Sequence, residues 1–248
     1  MMYLTADSPA HPNKLRTTYY GARYYVDHLP ADEVWPQDTE RYPSVSTIKG
    51  AMNKEFRKKL PSGNVYPLDA VRAGQVAMGH VDWLADQDEE DGVEFVANKA
   101  GAELRSAGKR GSGVHQYIED RILGRDPLPG MTPVEAQPYL ATADRMLEEL
   151  QLTPIYLEHC VFNREIGYAG TFDAICEVDG LDGGTYLIDW KSRGADSKHG
   201  AYPEEAMQLG AYAACQGDNG YLITEVDGEA VRRPLPDIDG GLIVSIKP

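Results

Sequence analysis

The sequence predicts an α/β protein with an α+β layout: a central mixed sheet flanked by helices, behind a helical N-terminal part. Three observations predict it. Helical periodicity prevails to about residue 151, and three strand-like runs then follow at 155–163, 168–178 and 185–191. Near the end, Gly241-Leu242-Ile243-Val244-Ser245-Ile246 is a glycine-bounded apolar run of the kind that forms a buried strand. Two units are expected, an arm and helical subdomain over residues 1–92 and an α/β core over residues 93–248.

Residues 1–43 are rich in Tyr and Pro and weakly periodic, which predicts an irregular arm with one short strand near Thr18–Tyr25. Ser44 or Ser46 can cap a helix over 47–60 that ends in Lys54, Arg57, Lys58 and Lys59. Pro61-Ser62-Gly63-Asn64 is a turn signal, and Pro67 suits the first turn of a second helix reaching Asp86. The acidic run from Asp86 to Asp91 reads as a solvated loop. A long helix over 93–123 follows, with an interruption expected near Gly108–Gly113. Its buried stripe is Val114, Ile118 and Ile122, with His115 and Glu119 beside it, and Gly124 ends it. Thr132-Pro133-Val134-Glu135 has capping-box form and opens a helix to about Gln151. After the three strands come a helix over 203–216, a short strand over 221–226 and the last strand.

With 42% hydrophobic and 25% charged residues among 248, the chain can bury an ordinary core. No apolar run reaches the ~18 residues of a membrane span, and no signal-peptide pattern opens the chain. A cytoplasmic protein without a membrane partner is therefore expected, in keeping with three widely spaced cysteines that form no Cys-x-x-Cys pair. The net charge of −15 argues against general coating of nucleic acid.

The chemistry concentrates between residues 170 and 191. Gly170-Thr171-Phe172-Asp173 reads as a strand that ends in a carboxylate, and Thr185–Lys191 as a strand that closes with Asp189-Trp190-Lys191. Strand alternation puts Asp189 and Lys191 on one face and Trp190 on the other. The Gly183-Gly184 turn would return the chain so that Asp173 stands beside Asp189. Two carboxylates suit Mg2+ or Mn2+, which prefer oxygen ligands and can polarise a phosphoryl oxygen. Lys191 could stabilise charge developing on phosphorus. His115 and Glu158 could add ligands, and Gln208 and Tyr212, one helical turn apart, could hold the lysine or a phosphate. Taken singly, an Asp-x-Lys pair on a strand is usually a solvated edge; the ordered set is what carries weight.

That set, His115, Glu158, Asp173, Asp189-Trp190-Lys191 and Gln208-Leu209-Gly210-Ala211-Tyr212, resembles the PD-(D/E)XK nuclease superfamily. Within it the pattern is similar to the RecB-like exonuclease branch, which includes CRISPR-adaptation nucleases and many phage proteins. Gly111-Ser112-Gly113-Val114-His115 nearly repeats that branch's histidine motif. The resemblance covers about residues 100–248 and is most specific over 165–215. It implies a restriction-endonuclease-like core and metal-dependent hydrolysis of DNA, as an exonuclease in recombination, repair or phage DNA processing. A structure-specific endonuclease and an inactive DNA-binding member are the alternatives. By the same resemblance Asp173, Asp189, the Trp190 carbonyl and His115 would ligate Mg2+ or Mn2+, with Glu158 an added carboxylate, and Lys191 would be catalytic.

No iron–sulfur cluster is expected, because the four cysteines of the cluster-bearing relatives are missing. Expected partners are DNA, with linear or single-stranded ends, and a recombination protein or further copies of the chain. The expected compartment is the cytoplasm, that of the host if phage-encoded. Relatives usually continue past the last core strand with a hairpin and a helix, so a minimal or truncated version is expected here. Arg105, Lys109 and Arg110 before His115, with Arg193 and Lys198 after the hairpin, are candidates to track the DNA backbone.

Overall fold

Strand pairing begins much earlier in the chain than residue 155. The computed structural model describes residues 4–19, 22–27, 41–52, 56–59, 65–68, 76–87, 89–126, 132–198 and 200–248. Helix α1 (Pro12–Leu15) leads into β1 (Arg16–Tyr19), which pairs antiparallel with β2 (Ala22–Tyr25), and β2 pairs with β3 (Tyr42–Pro43). The single arm strand expected over 18–25 is thus a hairpin. Helix α2 (Val45–Met52) begins as expected, with Ser44 Oγ accepting from the Thr47 N–H at 2.9 Å.

The expected helix over 47–60 stops there. Phe56–Lys59 is a strand, β4, paired antiparallel with β5 (Val65–Leu68). The Pro61–Asn64 turn signal lies outside the described residues, but strands flank it, as a turn signal between runs containing Phe56, Val65 and Tyr66 favours. Pro67 therefore sits in a strand and does not open a helix. Of the expected 67–86 helix, α3 (Val81–Ala85) and a turn at 76–78 are found, and residues 69–75 lie outside the described set. The N-terminal part is not all-helical.

Helix α4 (Glu89–Ile122) is continuous for 34 residues. It starts inside the acidic run expected as a loop, because carboxylates in a first turn suit the helix dipole. It also runs through Gly108–Gly113 unbroken. A Cβ at Gly113 would lie 2.8 Å from Ala136 Cβ, so this glycine serves close packing and does not break the helix. The helix expected from residue 132 starts later. Pro138, with no N–H to donate, belongs to a 3-10 turn (Gln137–Tyr139), and α5 (Leu140–Leu150) follows.

Two expected strands, 155–163 and 168–178, form one long antiparallel hairpin that is bent in its middle. The outgoing arm is β6 (Leu152–Leu157) and β7 (Cys160–Asn163); the return is β8 (Tyr168–Thr171) and β9 (Ala174–Val178). β7 pairs with β8, and β6 with β9. Both arms break at the same level, at Glu158–His159 and Phe172–Asp173. Backbone bonds still cross the bend, from Glu158 N to Asp173 O at 2.9 Å and from Phe172 N to His159 O at 3.2 Å.

The chain continues as β10 (Thr185–Ser192), α6 (Pro203–Ala213), β11 (Gly220–Val226), β12 (Glu229–Arg233) and β13 (Gly240–Ile246). The bent hairpin serves two sheets. One has the order β13-β10-β9-β6, with β13 parallel to β10 and the other pairs antiparallel. The other sheet is β12-β11-β7-β8. A single bridge from Ser44 to Ala169 links the β8 edge to the β1-β2-β3 sheet. The result is a mixed α/β protein with sheets flanked by helices. Among the described residues no helix is long and apolar enough to cross a membrane.

Side-chain alternation divides the core into layers. Ala174, Cys176, Ile188 and Trp190 face Val114 and Ile118 of α4 and Ala143 and Met146 of α5. Ile175 and Leu187 face Leu209 and Tyr212 of α6 on the opposite side. A third cluster seats Leu4, Ala10 and Leu15 of the arm against Cys160, Phe162, Tyr221 and Ile223. Gly170 lies where α6 crosses β8. A Cβ there would stand 2.3 Å from Tyr212 Cε1, so the glycine makes room for the tyrosine ring.

At the bend His159 is fully buried, with Nδ1 2.7 Å from the Leu157 carbonyl oxygen and Nε2 3.0 Å from Thr224 Oγ1. Burial lowers its pKa to about 4 from 6.5. Because the folded value lies below the unfolded one, the stability this neutral ring contributes is complete above pH 6.5 and is lost as pH falls through 4. The expected loss is about 3 kcal/mol, read as falling urea midpoints, with one histidine NMR signal titrating near pH 4. The absence of any histidine signal titrating near pH 4 would refute it. Separately, Gly170→Ala is expected to destabilise by about 1–3 kcal/mol through overpacking, with the urea midpoint as readout. An unchanged midpoint would show that the Tyr212 ring can move aside.

Candidate metal centre

The bend creates the site. Glu158 takes a positive φ of 51°, a left-handed conformation uncommon for a non-glycine residue and one that marks functional corners. It puts Glu158 level with Asp173 on the return arm. From α4, His115 reaches the same point, and single donor atoms of His115, Glu158 and Asp173 all lie within 4.8 Å of one another. Asp173 Oδ2 accepts the Trp190 N–H at 2.8 Å and stands 3.6 Å from His115 Nδ1. His115 Nε2 is 2.8 Å from the Trp190 carbonyl oxygen.

Strand register places Asp189 opposite Asp173, one step beyond the Ile188–Ala174 pair. Asp189 is buried on the α6 face. Its Oδ2 is in contact with the Lys191 ammonium, two residues along the same face, and makes no other hydrogen bond. Gln208 Nε2 lies 3.3 Å from Asp189 Oδ1 and 3.3 Å from the Tyr212 hydroxyl, so the Gln-x-x-x-Tyr turn of α6 supports the aspartate. Trp190 packs on the opposite side, towards α4 and α5. Burial, and then Asp173, raise the carboxyl pKa of Asp189 against the opposing pull of Lys191. Burial, then Asp173 and Glu119, raise that of Glu158 well above its usual value. Burial also pushes Tyr212 well up, which keeps it a neutral phenol.

These residues fit a divalent cation. Crowded, partly buried carboxylates resist accumulating negative charge, and a cation relieves that. The donors are carboxylate oxygens, one carbonyl oxygen and one imidazole, a set suited to Mg2+ or Mn2+.

Two cavities flank α4 at this point. One, of about 540 Å3, lies between the arm and the helix, and its lining includes His11, Asn13, His115, Gln116, Glu119 and Glu158. The other, of about 970 Å3, lies between α4 and the segment after β10, and it carries Arg110, Arg193 and Lys198 along with Glu103 and Asp196. The structure therefore brings three of the five proposed backbone-tracking cations together beside Ser192. Arg193 is nevertheless engaged by Glu205, by the Gly200 carbonyl at 3.2 Å and by the Tyr202 ring. Arg105 and Lys109 lie on other faces of α4, with Lys109 3.9 Å from Glu135.

Sequence reasoning did not select His11, Asn13 or Glu119 as site residues. Glu119 was detectable from its i+4 spacing to His115. The arm residues gave no local signal, because only long-range packing brings them there. Compared with known protein-family models and with curated protein sequences, the chain matches none.

The raised Glu158 pKa sets a test in metal-free buffer. A carboxyl group raised in the folded state costs no stability below about pH 4.5, its ordinary value, and weakens the fold as pH rises through the folded value. With chelator present, Glu158→Gln is expected to match the parent near pH 4 and to exceed its urea midpoint at pH 8. A Gln variant less stable than the parent at pH 8 contradicts the assignment.

Proposed function

We propose that this protein is a divalent-metal-dependent deoxyribonuclease of the PD-(D/E)XK superfamily, akin to the RecB-like exonucleases, that hydrolyses phosphodiester bonds from DNA ends. The observation that carries the reading is the convergence of Asp173, at the break between β8 and β9, on the end of β10, where the Trp190 N–H donates to Asp173, the Lys191 ammonium lies against Asp189 and His115 lies 3.6 Å from Asp173. The order α5, bent hairpin, β10, α6 and β13 supports it, since the resemblance implies a helix, three strands, a helix and a strand. So does the support that Gln208 and Tyr212 give to Asp189.

His115, Glu158 and Asp173, whose donor atoms lie within 4.8 Å of one another, would hold Mg2+ or Mn2+ together with Asp189 and the Trp190 carbonyl. The ion would supply Lewis-acid polarisation of the phosphoryl oxygen and make water acidic enough to attack near neutral pH. Lys191 places a positive charge where negative charge grows on the phosphoryl oxygens, and its neighbour Asp189 fixes that ammonium. Gln208 restrains Asp189 by hydrogen bonding, so α6 sets the carboxylate's direction. Arg110 and Lys198 can accompany the phosphates of the entering strand, which a locally basic groove permits on a chain of net charge −15.

The test is digestion of linear DNA with Mg2+ or Mn2+, comparing the parent with Lys191→Ala and Asp189→Ala. Each variant is expected to lose roughly 10²–10³-fold in rate, the scale of removing one transition-state charge partner, with Lys191→Ala still folded by circular dichroism. Undiminished digestion by both variants rules out the mechanism.

A further inference from the structure

The arm-side cavity is shared between the candidate metal set and the arm. His115 and Glu158 line part of it, and His11 and Asn13 line another part. Most of its polar groups are already engaged. Glu119 is paired with Arg125, the Gln116 amide donates to Asp120, and Asn13 Oδ1 accepts from Arg16. His115 Nε2 is turned to the Trp190 carbonyl. In His11 one ring nitrogen is engaged, and the other has no partner among the described residues.

The engaged nitrogen decides what the other can do. His11 is the N-cap of α1, and its Nδ1 accepts the Asn13 N–H at 3.2 Å. An accepting nitrogen carries no hydrogen, so in the neutral ring the hydrogen sits on Nε2. Burial lowers the ring's pKa from 6.5 against the opposing pull of Glu119, which favours that neutral form at pH 7. Nε2 is therefore a donor to oxygen, and His11 is not a further metal ligand in this arrangement. The backbone holds the ring in place. The His11 N–H donates to the Ser8 carbonyl at 3.1 Å, and the His11 carbonyl accepts from the Lys14 N–H at 2.8 Å. Ala10 and Pro12 on either side are buried, and Leu4, Ala10 and Leu15 pack in the core cluster that includes Cys160, Phe162 and Ala169 of the bent hairpin.

We infer that the Nε2–H of His11 binds a non-bridging oxygen of the phosphodiester held at the metal set. The inference rests on the nuclease reading of the Asp173–Asp189–Lys191 site. It adds to that site a group from the arm, in a cavity that Lys191 does not line. At about 540 Å3 the cavity has room for a phosphodiester and its ester carbons. Lys191 meets the phosphoryl oxygens with a full charge. His11 meets one with a neutral dipole fixed in advance, which needs no reorganisation as negative charge grows. The bond is a contact and not a proton transfer, because loss of the Nε2 hydrogen would leave an anionic ring. A neutral histidine acts in the same way on carbonyl oxygens elsewhere.

Two substitutions separate the two edges of the ring. In His11→Asn the side-chain carbonyl oxygen still caps α1 in place of Nδ1, but no donor reaches as far as Nε2. In His11→Gln the amide N–H reaches that far and the cap is lost. The full chain is tested on linear DNA with Mn2+ or Mg2+, and oligonucleotide binding is read by fluorescence anisotropy in the slow Lys191→Ala background. His11→Asn is expected to lower kcat/KM about tenfold, the worth of one neutral hydrogen bond, and to weaken binding, while its melting temperature stays at the parent's. His11→Gln is expected to melt lower yet remain within about threefold of the parent in both readouts. Nitrogen-15 NMR of the metal-free parent is expected to show the His11 hydrogen on Nε2. A phosphorothioate at the scissile linkage, tested as separated diastereomers, is expected to shrink the Asn penalty for one diastereomer only.

Undiminished digestion and binding in His11→Asn protein, a Gln variant as slow as the Asn variant, a hydrogen found on Nδ1, or an Asn penalty unchanged on both diastereomers each overturns the inference and leaves the nuclease reading intact. If the parent cuts no DNA with either metal, the nuclease reading itself falls, and this assignment with it.

Discussion

Everything at the candidate centre depends on one bend. The hairpin of residues 152–178 belongs to one sheet at its open end and to another at its tip, and the change occurs where Glu158 faces Asp173. Two straight strands would alternate their side chains regularly and send successive residues to opposite faces. The bend interrupts that alternation in both arms at once. It turns two carboxylates into one corner, within reach of a histidine from α4 and the backbone of β10. The left-handed Glu158 backbone carries local strain of order 1–3 kcal/mol, which the surrounding packing must hold.

Charge follows from that geometry. Asp189 is buried yet stays within an ion pair, because Lys191 lies two residues along the same strand face. Arg193, two residues further, is held by Glu205 at the start of α6. The end of β10 and the residue after it thus present an acid followed by two bases, and Glu205 of α6 pairs the last of them. An acidic chain can in this way keep cations concentrated on one side of α4 without being basic overall.

Much of the centre was legible in the sequence, and for identifiable reasons. Strand alternation separated Trp190 from Asp189 and Lys191, and the hairpin-length gap with Gly183-Gly184 set Asp173 opposite Asp189. Helical spacing joined Gln208 to Tyr212. The bend was not legible, because Leu157-Glu158-His159-Cys160 carries no glycine or proline to announce a break. β12 was missed although Asp227-Gly228 is a hairpin signal, and both residues do take positive φ. The β4 segment and the end of β5 were read as helical because basic and apolar residues at mixed spacing fit both periods over short runs. Gly113 looked like a breaker and Gly170 like an ordinary strand residue, yet both serve close packing, which only the folded neighbours reveal.

The buried contact between His159 and Thr224 ties the residue after Glu158 to β11, the strand that pairs with β7. His159 follows Glu158 directly, and its ring is clamped by the Leu157 carbonyl on one side and by a β11 hydroxyl on the other. The residue next to Glu158 is thereby anchored from both sides, so removing the Thr224 hydroxyl would leave a buried imidazole nitrogen without its partner at the bend.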